Sequence, residues 1–325
     1  MIRGYDTTQH AARGIILMTR KSELAAARAE GWQKERLDDW QAHLPRKHLR
    51  HRLIQRSNAD VDQMTAPPVY KQSSILESRL DIDMPTWLIT GSSRGIGFEL
   101  AKQLAAVPNG THTIFATCRN PASATALNDL AKEYKHIHVV ALDVDDDETV
   151  QGAAKTVAGL LGGKGIDYLV NNAAWSEADE LDTAKADTMT AMYNTHVAGS
   201  FRVYRAFLGL VRLSERKAII NVSSELGSLG DIDDPQFAEM FGAHFPSYCC
   251  AKAGLNMLTR KIAKGHPDFI VFAFAPGWLK TDMGGPNATG EVGEAVERHI
   301  KLYESATIEQ FSGKFINQWG KETAW

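Results

Sequence analysis

From Met84 onward the chain alternates between strand-length apolar runs and helix-length amphipathic stretches. The apolar runs cover 86–90, 113–118, 137–142, 166–170, 217–222 and 269–275, with a short one near 314–317. Near-continuous apolar strands separated by helices predict a parallel sheet covered on both faces. Right-handed crossovers make such a chain a doubly wound α/β fold of about seven strands, with ligands held at the strands' carboxyl ends.

The first 83 residues follow another pattern. They hold helix-like stretches at 22–30 and 33–43 and a Pro67-Pro68 pair, but no strand run that would join a sheet. The expected organisation is an N-terminal extension at 1–83, disordered or partly helical, followed by one α/β domain at 84–325. Charge divides the same way. Before Met84 there are 14 Lys+Arg against 11 Asp+Glu, a net of +3; after it 22 against 28, a net of −6. The run Arg46-Lys47-His48-Leu49-Arg50-His51-Arg52 is open to two readings, a nuclear signal or a solvated helix face. Three arginines and one acid in the first twenty residues faintly resemble a mitochondrial presequence, a pattern that the acids from Glu23 onward spoil.

Composition narrows the function. With 44% hydrophobic residues over 325, the chain can bury one large core. A net charge of −3 argues against an electrostatic nucleic-acid binder, and no apolar run approaches the roughly 18 residues that span a bilayer. Cys118, Cys249 and Cys250 lack metal-ligand spacing, and the adjacency of the last two within a helical pattern argues against a disulfide framework. No metal is expected. A reducing, cytoplasmic compartment is the default, with a mitochondrial one if residues 1–83 are a targeting segment.

Two stretches carry candidate chemistry. In the first, the strand Thr86-Trp87-Leu88-Ile89 runs into Thr90-Gly91-Ser92-Ser93-Arg94-Gly95-Ile96-Gly97, and a helical pattern follows from Phe98. Glycines let the backbone turn sharply and approach a ligand, while a helix start offers unpaired N–H groups and the positive end of a dipole. A Rossmann βα unit holds the phosphates of a dinucleotide in this way. In the second, Tyr248-Cys249-Cys250-Ala251-Lys252 places a phenol and an ammonium at i and i+4, on one helix face. A free tyrosine titrates near pH 10, and a lysine cation held close is expected to lower that value and fit the phenol for acid–base work. Upstream, the strand Lys217-Ala218-Ile219-Ile220-Asn221-Val222 ends in Ser223-Ser224. A serine there can hydrogen-bond a substrate oxygen beside the tyrosine, or merely cap the strand.

With these residues in view, the chain resembles the short-chain dehydrogenase/reductase family over 84–325. The family's motifs stand in order: Thr-Gly-x-x-x-Gly-x-Gly at 90–97, Asn171-Asn172-Ala173-Ala174, Asn221-Val222-Ser223-Ser224, Tyr248-x-x-x-Lys252 and Pro276-Gly277. Within the family it is similar to the carbonyl-reductase-like branch of sniffer and C-factor-type proteins. Ala116-Thr117-Cys118-Arg119-Asn120-Pro121, the stretch from Pro276 to Gly285 and the ending from Ser312 to Trp325 carry that likeness.

The resemblance implies roles. Tyr248 would protonate the carbonyl oxygen as hydride arrives, Lys252 would lower its pKa and hold the nicotinamide ribose, and Ser224 would orient the carbonyl. Gly91, Ser93, Arg94, Gly95, Ile96 and Gly97 would form the phosphate turn, with the Ile96 backbone on the pyrophosphate. Asp143, with Val144 beside it, would meet the adenine amino group, and Asn172 and Ala173 the adenosine side. Pro276, Gly277 and Thr281 would face the carboxamide or diphosphate. Asp143 is equally a helix cap for Asp145-Asp146-Asp147-Glu148. The resemblance also implies a homo-oligomer, dimer or tetramer, or a monomer.

The choice of nucleotide rests on residues. Where an acid would bind the ribose hydroxyls of NAD, the second strand ends in Cys118 followed by Arg119. Arg94 and Arg119 can pair with a 2′-phosphate that a carboxylate would repel, so NADP(H) is the expected cofactor. Arg94 also reads as a solvated turn residue; Arg119 carries the argument without it.

Departures from the family pattern matter too. In Tyr193-Asn194-Thr195-His196-Val197-Ala198-Gly199 the register of the family's catalytic asparagine falls on His196, while Asn194 faces another side of the helix. His196 either relays protons in that role or is a half-buried histidine satisfying a backbone group. Asn171-Asn172-Ala173-Ala174 has alanine where the family commonly has glycine. The interval from Glu225 to Ser247 is long, and its Phe237, Phe241 and Phe245 either shape an overhanging pocket or form a surface cluster of their own.

Two functions from different classes follow. One is an NADPH-dependent reductase of an aldehyde or ketone, or the reverse alcohol oxidation, with a small-molecule substrate. The other is an NADP(H)-binding signalling or scaffold protein with little turnover, motivated by His196.

Overall fold

In a computed structural model that describes residues 84–108 and 112–325, every one of the seven apolar runs is a strand. The extension and the basic patch expected before Met84 lie outside the described residues. The strands are β1 (Thr86–Ile89), β2 (Thr113–Cys118), β3 (Ile137–Ala141), β4 (Tyr168–Asn171), β5 (Ala218–Val222), β6 (Ile270–Ala275) and β7 (Phe315–Asn317). They form one parallel sheet in the order β3-β2-β1-β4-β5-β6-β7, so the winding reverses between β1 and β4. That is the doubly wound Rossmann arrangement, whose ligand crevice opens at the reversal. β4 begins two residues later than the pattern predicts, because the Ile166 N–H is spent on the Leu210 carbonyl.

Burial explains the near-continuous apolar strands. Alternate residues of one strand enter two different cores: Trp87 and Ile89 face one, Leu88 the other. Helices α1 (Gly95–Ala105), α2 (Thr125–Glu133), α8 (Val292–Ser305) and α9 (Ile308–Phe311) cover the first face through Leu100, Leu104, Leu127, Val296, Tyr303 and Phe311. The second face is covered by α3 (Asp147–Leu161), α5 (Ser200–Leu213) and α7 (Pro246–Gly265), through Val150, Val157, Phe207, Val211 and Ile262. Helix α4 (Ala186–Tyr193) continues into α5 through a π-helical segment, Asn194–Gly199. The long interval before Tyr248 contains a seven-residue helix, α6 (Pro235–Phe241).

Candidate active site

Every sequence-predicted site residue but three lies at or just beyond a strand's carboxyl end, which is where a parallel sheet gathers them. Tyr248 and Lys252 are delivered by α7, and His196 by the π-helical segment.

At the end of β1 the chain turns through Gly91, held at φ +70°, and Gly95 at φ +59°. Gly97 is the tightest point of this turn. A Cβ there would sit 2.4 Å from the Gly91 carbonyl oxygen and 2.6 Å from Asn172 Nδ2. Helix α1 then starts with Arg94 as its N-cap, with no side-chain capping bond and no acid in its first turn. Its leading N–H groups are therefore left to a ligand. Thr90 locks the turn to the end of β4: its Oγ1 accepts the N–H groups of Asn172 (2.9 Å) and Ala173 (3.0 Å). The Asn172 amide in turn donates to the Thr90 carbonyl at 2.9 Å. Thus Asn172 shapes the glycine turn.

Ser93, Arg94 and Arg119 are exposed on the same edge. Arg94 reaches across to Asp282 at 3.4 Å, in the loop that carries Thr281. Cys118 is buried at the end of β2, and no carboxylate occupies its position. After β3, Asp143 Oδ1 accepts the Asp145 N–H (3.0 Å), while the cap of α3 is Asp146, which accepts from Glu148 and Thr149. The expected cap thus falls three residues later than Asp143. Val144 is buried under the π-helical segment, against Gly199. Pro276 and Gly277 turn the chain out of β6, with Gly277 at φ +85°.

The chemistry-bearing side chains come together beneath this rim. Ser224 follows β5, and Tyr248 and Lys252 stand on one face of α7. Lys252, 2% exposed, donates to the Val222 carbonyl at 2.8 Å and lies 5.4 Å from the Tyr248 ring centre. His196, 1% exposed, meets the Tyr248 ring edge-on at 5.4 Å. Its Nε2 lies 3.2 Å from the Trp175 N and 2.9 Å from the Trp175 carbonyl, accepting from the first or donating to the second according to tautomer, while Nδ1 is buried without a hydrogen-bond partner. Asn194 points elsewhere, bonded to Asp145 and Arg202 at 3.0 Å each. The π bulge sets this register.

Burial dominates the electrostatics. It lowers the Lys252 ammonium to about 7. It lowers His196 to about 2, with the Lys252 charge assisting, so this ring is neutral at physiological pH. It pushes the Tyr248 phenol up to about 12, against a hydrogen bond with Ser224 that pulls downward. The sequence reading expected the opposite direction for Tyr248. The structure reverses it because lysine and phenol are desolvated together, and a lysine titrating near 7 exerts only part of a unit charge at neutral pH.

A buried polar ladder, missed at the sequence level, fixes α7 on the sheet. Asn171 donates to Asn221, which donates to Thr259 of α7, both at 2.8 Å. Ser223 donates to Asn256 at 2.6 Å, and Asn256 to the Gly227 carbonyl at 3.0 Å. These asparagines stand in or beside the quoted motifs, but only their partners reveal the job. Trp175 was also missed; its indole N–H donates to Thr195 at 2.9 Å and its backbone holds His196. Above the site, Phe237 packs on Phe241 (5.4 Å) and Phe241 meets Trp278 edge-on (6.4 Å). The aromatics of the long interval therefore join the loop after β6. Among the described residues no cluster of metal-ligating side chains forms, and no helix is long and apolar enough to cross a membrane.

Known proteins share this arrangement. The sequence pattern of the short chain dehydrogenase family matches residues 85–291. An uncharacterized oxidoreductase of Schizosaccharomyces pombe is 32% identical over 66% of this chain and 78% of its own length. An NADPH-bound carbonyl reductase from chicken fatty liver superposes with a TM-score of 0.69 at 34% identity, covering 74% of this chain and 99% of that one. The carbonyl reductase Sniffer of Drosophila melanogaster superposes with a TM-score of 0.69 at 28% identity, covering 74% of this chain and all of its own.

Proposed function

The chain belongs to the short-chain dehydrogenase/reductase family, and on that premise we propose that it is an NADPH-dependent reductase of aldehydes or ketones acting through residues 84–325. The observation that carries the proposal is the convergence of Ser224, Tyr248, Lys252 and a buried His196 at the carboxyl ends of β4 and β5, beside a glycine turn shaped for phosphate.

The cofactor fits the residues present. Uncapped N–H groups at the start of α1 suit a pyrophosphate, and Arg94 and Arg119 suit a 2′-phosphate where no acid stands. The NADPH bound by the chicken carbonyl reductase supports the same choice. Bound NADPH supplies the hydride. The protein's share is to hold the carbonyl and deliver a proton. Ser224 orients the carbonyl oxygen and Tyr248 gives it the phenolic proton. Lys252, anchored on the Val222 carbonyl, sits where it stabilises the phenolate left behind. With burial pushing it up to about 12, the phenol stands protonated at neutral pH, the form that can donate to a carbonyl oxygen. His196 stays neutral and holds the loop after β4 through Trp175, and its unpartnered Nδ1 can take part in returning a proton to the site.

The test follows NADPH absorbance with the full chain against 4-nitrobenzaldehyde, 2,3-butanedione and menadione. Tyr248→Phe is expected to lower turnover by about 10²–10⁴ while NADPH still binds. NADPH binding without turnover of any carbonyl by the native chain would favour the scaffold reading, and His196→Asn would then show whether that one residue silences the site.

A further inference from the structure

The loop after β4 touches the candidate site twice. Trp175 contacts His196, and four residues on Asp179 contacts the start of the helix that bears Tyr248. The second contact has no part in the function proposed so far, and its geometry is unusual.

Helix α7 starts with Pro246 directly after Phe245, which sits at φ +59°, ψ +38°. Bulky residues other than glycine adopt that left-handed conformation only where their surroundings impose it. Here the surroundings are Asp179 and its neighbours. The Phe245 N–H donates to the Asp179 carbonyl at 2.8 Å, and the Leu181 N–H to the Ala243 carbonyl at 3.1 Å. Between them Glu180 and His244 face each other as an antiparallel bridge, with a 2.7 Å hydrogen bond between His244 Nδ1 and Glu180 Oε1. The Asp179 carboxylate then accepts the hydroxyl of Ser247, a residue with no exposed surface immediately before Tyr248. Its other oxygen is buried without a hydrogen-bond partner. A carboxylate placed there faces the positive end of a 20-residue helix, which stabilises it. Its field reaches past Tyr248: the Cys249 thiol is pushed up to about 11, by burial first, then by Cys250 and Asp179.

We propose that Asp179 is a positioning residue for Tyr248: its backbone imposes the turn at Phe245, its carboxylate clamps Ser247, and together they set where the phenol stands. One loop thereby places both His196 and Tyr248, the two rings that meet edge-on. The proposal rests on the reading of Tyr248 as the proton donor. The role of Asp179 is exerted through the first turn of α7, by way of Phe245 and Ser247.

Three variants of the full chain test it: Asp179→Ala, Asp179→Asn and the Asp179→Ala, Ser247→Ala double variant. With 4-nitrobenzaldehyde and NADPH, Asp179→Ala is expected to lower kcat at least tenfold while the NADPH Kd stays within twofold. Asp179→Asn keeps an acceptor for Ser247 and is expected to recover kcat to within threefold of the native chain. Combining Asp179→Ala with Ser247→Ala is expected to cost no more than Asp179→Ala alone, since both remove one clamp. Amide hydrogen exchange supplies a readout that needs no turnover: segment 245–252 loses protection in Asp179→Ala while 255–265 keeps it. Unchanged exchange at 245–252 overturns the proposal, as does an equal kcat loss in the alanine and asparagine variants with weakened NADPH binding. If the native chain reduces no carbonyl but the exchange result holds, the functional reading fails and the positioning role stands.

Discussion

Acid is expected to unfold this protein, and His299 on α8 is one of the reasons. Its side chain is fully enclosed, edge-on to Phe274 at 4.8 Å and stacked with Tyr303 at 6.3 Å. Burial lowers its pKa from 6.5 to about 4, with the Pro276 backbone opposing and the Arg298 charge assisting. The folded state thus keeps the ring neutral, while the unfolded chain takes up a proton below pH 6.5. Stability therefore falls as pH drops from 6.5 towards 4 and levels off below. A gap of about 2.5 pH units at 1.36 kcal/mol each amounts to about 3.4 kcal/mol. His196, lowered to about 2, loses a similar amount by pH 4. The pair costs about 7 kcal/mol, against the ~5–15 kcal/mol of a typical domain. The assay is urea unfolding followed by tryptophan fluorescence at pH 7 and pH 4, for the native chain and His299→Phe. Phenylalanine keeps an aromatic ring in the cluster and removes the titrating group. The loss of stability between the two pH values is expected to shrink by about 3 kcal/mol in the variant. An identical pH dependence in both proteins would refute the reasoning.

Three further outcomes are expected. Gly97→Ala drives a methyl into the Gly91 carbonyl, a contact backbone cannot relieve, so stability should drop by about 1–3 kcal/mol and NADPH affinity with it; thermal melting and fluorescence titration check both. If Arg119 pairs with a 2′-phosphate as proposed, Arg119→Ala removes a charge-assisted contact of about 1.5–3 kcal/mol, so the NADPH Kd should rise at least tenfold while the NADH Kd stays put. Because His196 is neutral down to about pH 2, His196→Asn should change the height of the pH–rate profile between pH 5 and 8 without changing its shape; a limb lost from that profile in the variant would show that the ring titrates there.

Much of the molecule was legible before any coordinates. Strand positions follow from local composition, since a strand buried on both faces must be apolar throughout, and all seven appear within two residues of their expected starts. Gly91, Gly95, Gly97, Ser224, Tyr248 and Lys252 stand in short contiguous motifs whose spacing is itself the geometry of a turn or a helix face. The register of the family motif also pointed to His196 rather than Asn194, which is bonded to Asp145 and Arg202 instead.

Other features depend on which distant segments meet, and on how much water they exclude. The Asn171–Asn221–Thr259 ladder joins residues 50 and 38 positions apart, and the Asp179–Ser247 clamp spans 68. No local pattern encodes such pairs, because an asparagine or an aspartate reads the same whether solvated or buried. The direction of the Tyr248 pKa belongs here too. The i, i+4 spacing supplied the lysine and predicted a lowered value, but desolvation at the base of the crevice outweighs it, and desolvation is a property of the packed structure alone. The sequence by itself determined the fold and the chemical groups; tertiary packing decided their protonation and their aim.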